Sequence, residues 1–108
     1  MKQTTGIILV FCSVPDLETG RALADLLLKA KAAACVSILP GVESHYVWQG
    51  KREQAEERLL IIKATGSNYP RIEELLISNH PYECPEIVEV PAGRVAPKYR
   101  AWLQIDEG

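Results

Sequence analysis

The side chains that could do chemistry are scattered along this 108-residue chain and do not form one compact motif. The sequence contains no glycine-rich phosphate loop, no serine or cysteine nucleophile elbow and no His-x-x-x-His zinc pair. Because no nucleophile and base can be paired from the spacing, we expect a protein that is not an enzyme and has no organic cofactor. The candidates that remain are Cys12, His45, Glu57, Lys63, His80, Tyr82, Glu86 and Trp102.

Several candidates also have an ordinary structural interpretation. Cys12 ends an apolar run and would then be a small buried side chain. His80 would lie at the C-terminal end of a helix and interact favourably with the helix dipole. Glu57 would be a solvated strand residue paired with a cation. Lys63 follows four apolar residues, and its ammonium needs a counter-charge if it is buried. Lys63 is therefore a better than average candidate for a functional site.

The cysteine pattern excludes two kinds of site. Cysteines occur at positions 12, 35 and 84, an odd number without any Cys-x-x-Cys spacing. A disulfide framework and a local zinc knuckle are therefore not expected. Cys35 lies in the apolar run Ala32–Val36, and we expect it to be a small buried side chain.

The bulk composition is that of one soluble domain covering residues 1–108. Apolar residues make up 47% and charged residues 24% of the chain, and the net charge is −2. Without a basic stripe or a bilayer-length apolar run, we expect neither nucleic-acid nor membrane binding. The N-terminal run Ile7–Phe11 is too short for a signal-peptide core, so the sequence predicts a cytoplasmic protein.

A long hairpin is the strongest local signal in the chain. Cys35–Trp48 and Arg52–Thr65 both have strand character, and they flank the tight connection Gln49-Gly50-Lys51. A strand as long as the first run would reach roughly 45 Å, whereas a globule of this size has a radius of gyration of about 13 Å. We therefore expect the hairpin to extend beyond the body of the protein.

The tip of this hairpin would expose Tyr46, Val47 and Trp48, with His45 beside them at a surface or interface. An exposed aromatic edge is a liability unless a partner covers it, so we expect another copy of the chain to complete the hairpin. The alternative is that Pro40-Gly41 breaks the first arm into two short strands that fold back. A kink at this dipeptide is expected in both cases.

The element order predicts an α+β fold of the ferredoxin-like β-α-β-β-α-β type with a long β2–β3 hairpin and a short C-terminal helix. Both main helices are expected on one face of a four-stranded antiparallel sheet. The predicted elements are strand Ile7–Phe11, helix Leu17–Lys31 capped by Asp16, the hairpin, a helix from Pro70 to Asn79, strand Ile87–Val90 and a last helix from Pro97.

Four motifs together resemble the CutA family, the divalent-cation tolerance proteins. They are Ala32-Ala33-Ala34-Cys35-Val36, Tyr46-x-Trp48-x-Gly50-Lys51, Glu57-x5-Lys63 and His80-Pro81-Tyr82-x-x-Pro85-Glu86. The resemblance runs from about Ile7 to Leu103. The combination of the second and fourth motifs is what makes it specific.

The resemblance implies a trimer whose long hairpins wrap neighbouring subunits, and a role in tolerance to divalent metals, chiefly copper. By this resemblance the metal-binding groups are Cys12, Glu57 and His80. Some relatives carry a second histidine just before the one in His-Pro-Tyr, where this chain has Asn79. A thiolate, an imidazole and a carboxylate together suit copper or zinc better than magnesium or calcium.

A second hypothesis is that the protein is a signalling trimer that resembles the PII-like proteins in overall shape. Its inter-subunit clefts would bind a small anionic molecule. The lining of the clefts would come from Lys63, Tyr82, Glu86 and Trp102, with Lys63 supplying the positive charge.

Overall fold

Four strands form one antiparallel sheet in the computed structural model, which describes residues 6–105. The sheet order is β2-β3-β1-β4. Together with two helices between the strands, this order confirms the predicted α+β fold. The elements are β1 Ile7–Val14, α1 Leu17–Lys29, β2 Cys35–Trp48, β3 Lys51–Thr65, a 3-10 turn Gly66–Asn68, α2 Tyr69–Asn79, β4 Val88–Pro91 and α3 Pro97–Ile105. The predicted domain covers residues 1–108. Residues 1–5, before the first apolar run, and residues 106–108 lie outside the described part.

The core lies between one face of the sheet and the helices α1 and α2. Alternate residues of β1 and β3 point to this face, as expected for strands, and pack against the apolar sides of the two helices. Each fully buried Leu or Ile side chain contributes about 1.5–3 kcal/mol of transfer free energy. The buried residues of this cluster are Ile8, Val10, Cys12, Val14, Leu23, Leu27, Ala32, Ala33, Leu60, Ile62, Ala64, Ile72 and Leu76.

The helix ends follow the local chemistry of the sequence. The Asp16 carboxylate accepts a hydrogen bond of 2.8 Å from the backbone N–H of Thr19, which confirms the predicted cap. Helix α1 ends at Lys29, two residues before the predicted end, because Lys31 adopts a left-handed conformation with φ of 56°. Pro70 lies in the first turn of α2, as predicted.

Strand β1 is longer than the predicted Ile7–Phe11. It continues to Val14 because β3 offers partners in register along its whole length, from Ile7 opposite Thr65 to Val14 opposite Arg58. Strand β4 starts one residue later than predicted, at Val88, and pairs with the first half of β1.

The hairpin β2–β3 extends beyond the rest of the sheet, as predicted. Past Val14 and Arg58 the two strands pair only with each other, and the longest dimension of the molecule is 44 Å. Gln49 and Gly50 both have positive φ, 53° and 81°, which is the geometry of a type I′ turn.

The Pro40-Gly41 dipeptide bends β2 without ending it. The pairing register shifts between Leu39 and Val42, and Gly41 has a φ of 78° that suits glycine. The predicted kink is therefore confirmed. The alternative of two short strands that fold back is wrong, because β2 runs from Cys35 to Trp48 as one strand.

Apolar side chains are exposed at the tip of the hairpin in the single chain. The exposed fractions are 44% for Tyr46, 66% for Val47 and 40% for Trp48. These values agree with the expectation that the tip needs a covering partner. None of the helices within residues 6–105 is both long and apolar enough to cross a membrane.

Candidate functional site

Polar side chains from four parts of the chain meet where β1 ends. The segment between α2 and β4, residues 80–87, has no regular structure and passes this end of the sheet. We call the group the β1-end cluster, and its members are Cys12, Ser13, Ser44, Glu57, His80, Tyr82 and Glu86.

His80 uses both ring nitrogens within this cluster. Its Nδ1 accepts a hydrogen bond of 3.1 Å from the backbone N–H of Tyr82, and its Nε2 lies 2.8 Å from the carbonyl oxygen of Ser13. Because a backbone N–H is always a donor, Nδ1 must be the acceptor and Nε2 must carry the proton that it donates to Ser13. The imidazole therefore ties residues 80–87 to the end of β1, and the extended backbone of His80 ends α2.

Glu57 accepts hydrogen bonds on both carboxylate oxygens. The Tyr82 hydroxyl donates to Oε2 at 2.6 Å, and the Ser44 hydroxyl donates to Oε1 at 2.6 Å. Burial, followed by the hydrogen bond to Glu57 and its negative charge, raises the pKa of Tyr82 above its ordinary value. The expected cation next to Glu57 is not found among residues 6–105, where hydroxyl groups take its place.

Cys12 is fully buried in the core, and its sulfur lies 3.9 Å from the same Ser13 carbonyl oxygen that accepts from His80. Burial is the main cause that raises the pKa of its thiol to about 12, and the negative charges of Glu86 and Glu57 raise it further. The thiol is therefore protonated at neutral pH. Glu86 in turn accepts a hydrogen bond of 2.5 Å from the Ser13 hydroxyl.

An open groove of about 400 Å³ borders the cluster at Glu57. It lies between the start of α1 and the bulged part of the hairpin. Four of its nine lining residues carry a carboxylate, and Arg58 is the one cation among the lining residues that the structure describes. The lining consists of Pro15, Asp16, Leu17, Gly41, Val42, Glu43, Glu56, Glu57 and Arg58.

The three predicted metal ligands share this end of the sheet, yet their arrangement is closed. Cys12 holds its proton, Glu57 has a donor on each oxygen, and His80 has a partner on each nitrogen. Within residues 6–105 no group of three His, Cys, Asp or Glu side chains stands ready to hold a metal ion. The donor types suit copper or zinc. To bind a metal, Cys12 would have to lose its proton, His80 would have to give up one partner, and Glu57 would have to share an oxygen with the metal.

The four residues predicted to line a cleft separate into two places within one chain. Tyr82 and Glu86 belong to the β1-end cluster. Lys63 lies six residues along β3 from Glu57, a distance of roughly 20 Å. There its ammonium donates to the Ser37 hydroxyl at 2.5 Å and lies 3.7 Å from the Cys35 sulfur.

Two aromatic residues of α3 belong to the same region. Tyr99 lies close to Cys35, and its ring stacks on that of Trp102 with centroids 5.6 Å apart. Burial, then Cys35, raises the pKa of Tyr99. We call this group the Cys35–Lys63 cluster, and its members are Cys35, Ser37, Lys63, Tyr99 and Trp102.

Three serine partners were not predicted from the sequence, and one cysteine differs from the expectation. No motif marked Ser13, Ser44 or Ser37, although strand parity places Ser37 on the same face as Lys63 once the hairpin register is known. Cys35 was expected to be buried, and this expectation is wrong. It is half-buried, because it opens the edge strand β2 on the face opposite the core.

Comparisons with known proteins confirm the resemblance drawn from the four motifs. The family model described as CutA1 divalent ion tolerance protein matches residues 8–106. Protein CutA, chloroplastic, of Arabidopsis thaliana is 40% identical over 102 residues, which cover 94% of this chain and 56% of that protein. The chain thus spans little more than half of the length of this plant relative.

Two further relatives match over most of both chains. The divalent-cation tolerance protein CutA of Escherichia coli is 39% identical over 99 residues, covering 92% of this chain and 88% of that protein. The crystal structure of CutA from Xylella fastidiosa gives a TM-score of 0.92 at 33% identity, over 95% of this chain and 99% of that one.

Proposed function

Because the chain belongs to the CutA1 divalent ion tolerance family, we propose that it binds a divalent metal such as copper and takes part in the response to metal ions. The protein acts by binding and is not an enzyme. The proposed ligands are Cys12, Glu57 and His80 of the β1-end cluster. The name of the Escherichia coli relative, divalent-cation tolerance protein, supports the class of ligand.

The observation that carries this proposal is the position of Glu57. Its carboxylate borders the acidic groove and also joins the hydrogen-bond network that contains Tyr82 and His80. A groove with four carboxylates and one cation in its lining attracts cations. A cation in that groove would therefore be close to Glu57, with an imidazole and a thiol in the same cluster.

Metal binding requires this closed cluster to open. His80 has to release one of its two partners, and Glu57 has to share with the metal the oxygens that accept from Ser44 and Tyr82. Cys12 also has to lose a proton that its burial retains. Binding therefore releases protons, and the affinity for metal rises with pH.

Calorimetric titration of Cu(II) tests the ligand set. Glu57→Gln, His80→Ala and Cys12→Ser are each expected to weaken binding at least about tenfold, which corresponds to about 1.4 kcal/mol. His45→Ala is the matched control, because it removes the other histidine of the chain, an exposed one at the hairpin. Equal affinity in the three ligand variants and the wild type would contradict the assignment.

The proposed assembly is a homotrimer in the cytoplasm. The support for an assembly is the exposed tip formed by Tyr46, Val47 and Trp48, which a neighbouring chain would cover. Sedimentation equilibrium of the purified protein tests the trimer, and a single species with the 12.0 kDa mass of one chain would contradict it.

A second candidate function is a PII-like signalling trimer that binds a small anion between subunits. Lys63 favours it, because no carboxylate of residues 6–105 pairs with its half-buried ammonium. Tyr82, Glu86 and Trp102 would contribute the rest of the lining in the assembled protein. A thermal-shift screen of nucleotides and small anions tests this function, since a ligand of the folded form raises the unfolding midpoint. Lys63→Ala should abolish any shift.

A further inference from the structure

Cys35 and Lys63 face each other across the first pair of the β2–β3 ladder. The two residues are directly opposite in the register, and the distance between Sγ and Nζ is 3.7 Å. Directly opposite residues of antiparallel strands have Cβ atoms about 4.5–5.5 Å apart, so the ladder keeps this pair together. Rotation of the two side chains, without any movement of the backbone, would bring the sulfur and the nitrogen close enough to bond.

The surroundings of the pair favour a reaction between them. Cys35 is half-buried and free, whereas Cys12 is fully buried with a thiol pKa of about 12. The Lys63 ammonium contacts the Cys35 sulfur, and the Ser37 hydroxyl accepts a hydrogen bond from the same ammonium. Since no carboxylate in the described part of the chain forms an ion pair with Lys63, loss of its proton breaks no salt bridge.

We propose that Cys35 and Lys63 form an oxidative modification site, in which a peroxide joins the sulfur and the amine in a reversible sulfur–nitrogen bond. The inference goes beyond the proposed metal binding, because neither residue belongs to the β1-end cluster. The co-reactant is a hydroperoxide, with hydrogen peroxide as its simplest member.

The reaction takes place in two balanced steps. First, the O–O bond of hydrogen peroxide breaks, one oxygen bonds to the Cys35 sulfur to give a sulfenic acid, and one water leaves. Second, the Lys63 amine, after giving its ammonium proton to solvent, attacks the sulfur. The S–O bond breaks, and the hydroxyl leaves as a second water with a proton from the nitrogen. The thiol–amine pair loses two electrons and two hydrogens, and the peroxide is reduced to water.

The bond would alter both the hairpin and its charge. It closes the 28-residue separation between Cys35 and Lys63 covalently at the base of the hairpin. It also removes the positive charge of Lys63, the one cation of the Cys35–Lys63 cluster. Peroxide would thus change the Cys35–Lys63 cluster from cationic to neutral, and the side chains of the β1-end cluster would stay unmodified.

Mass spectrometry after hydrogen peroxide treatment of the full folded chain tests the proposal. A Cys84→Ser background removes the exposed thiol, for which no hydrogen bond is found within residues 6–105. The treated protein is expected to lose about 2 Da, the mass of two hydrogens. Peptide mapping should find the segments containing residues 35 and 63 joined, and dithiothreitol should restore the original mass.

Lys63→Arg in the same background is the matched control. Arginine keeps the positive charge but cannot give up its proton to act as a nucleophile. Peroxide should then leave a sulfenic acid on Cys35 that a 1,3-dione reagent traps, without the loss of mass. Peptide mapping of the Cys84→Ser protein alone keeps the test decisive if the arginine variant fails to fold.

Three results would overturn the proposal. The first is an unchanged mass after peroxide treatment. The second is a gain of oxygen on Cys35 while Lys63 remains unmodified. The third is a loss of two hydrogens that persists in Lys63→Arg, because a Cys12–Cys35 disulfide would then account for it.

Discussion

The hydroxyl of Tyr82 is the group whose removal tests the closed cluster most sharply. In Tyr82→Phe the oxygen that donates to Glu57 Oε2 at 2.6 Å disappears, while the ring stays. A hydrogen bond to a charged group contributes about 1.5–3 kcal/mol. Glu57 is only half-buried and keeps the Ser44 hydroxyl, so water replaces part of the lost bond. We expect a loss of about 1–2 kcal/mol in the free energy of unfolding.

Chemical denaturation at a fixed concentration of chains measures this loss, since the stability of an oligomer depends on concentration. Tyr69→Phe is the matched control, because it removes a Tyr–Glu hydrogen bond of 3.1 Å to Glu73 on the exposed side of α2. A pair of this kind contributes only about 0.2–0.5 kcal/mol. Equal losses in the two variants would refute the special role of the Tyr82–Glu57 contact.

The same variant should bind Cu(II) more tightly. Without the Tyr82 hydroxyl, the metal no longer competes with its proton for the negative charge on Oε2 of Glu57. The gain is bounded by the hydrogen bond that was lost, so about 1.4 kcal/mol would give a tenfold increase in affinity. Calorimetry at one pH on Tyr82→Phe and Tyr69→Phe gives the comparison. A lower affinity in Tyr82→Phe would show that Glu57 does not bind the metal in the way proposed.

Three further predictions concern the core, the turn and the tip. The folded chain raises the pKa of Cys12 from 9.0 to about 12, so its contribution to stability is complete below pH 9 and is lost as the pH rises. Between these values the unfolding free energy of the wild type should fall about 1.4 kcal/mol per pH unit more steeply than that of Cys12→Ala, and parallel slopes would contradict the buried thiol. Gly50→Ala should cost about 1–2 kcal/mol in thermal unfolding, because its φ of 81° disfavours a Cβ, and a neutral effect would argue against the type I′ turn. Trp48→Asp should reduce the mass of the assembly in light scattering, whereas an unchanged mass would argue against covering of the tip by another chain.

The element order was predictable because it rests on periodicity and local chemistry. Apolar spacing located both main helices, Asp16 marked the start of the first, and the two long strand-like runs around Gln49-Gly50 indicated a hairpin too long for its body. These signals are local in the sequence. The observed helices and strands differ from the predicted ones only at their ends.

The partners inside the two clusters were not predictable in this way. His80 bonds to a backbone carbonyl of Ser13, 67 positions earlier in the chain, through a segment without regular periodicity. The contact of Tyr82 with Glu57 depends on the path of the same segment. Strand parity could not by itself place Cys35 opposite Lys63, because the register also depends on the bulge at Pro40-Gly41. Tertiary contacts of this kind have no signature in a single sequence.

Electron paramagnetic resonance of the Cu(II)-loaded protein tests most directly whether the metal binds at the β1-end cluster. The chain contains only two histidines, His45 and His80, so nitrogen coupling from an imidazole identifies its source. We expect this coupling in the wild type and in His45→Ala, and its loss in His80→Ala. Coupling that persists in His80→Ala and disappears in His45→Ala would place the metal at the hairpin and contradict the proposed site.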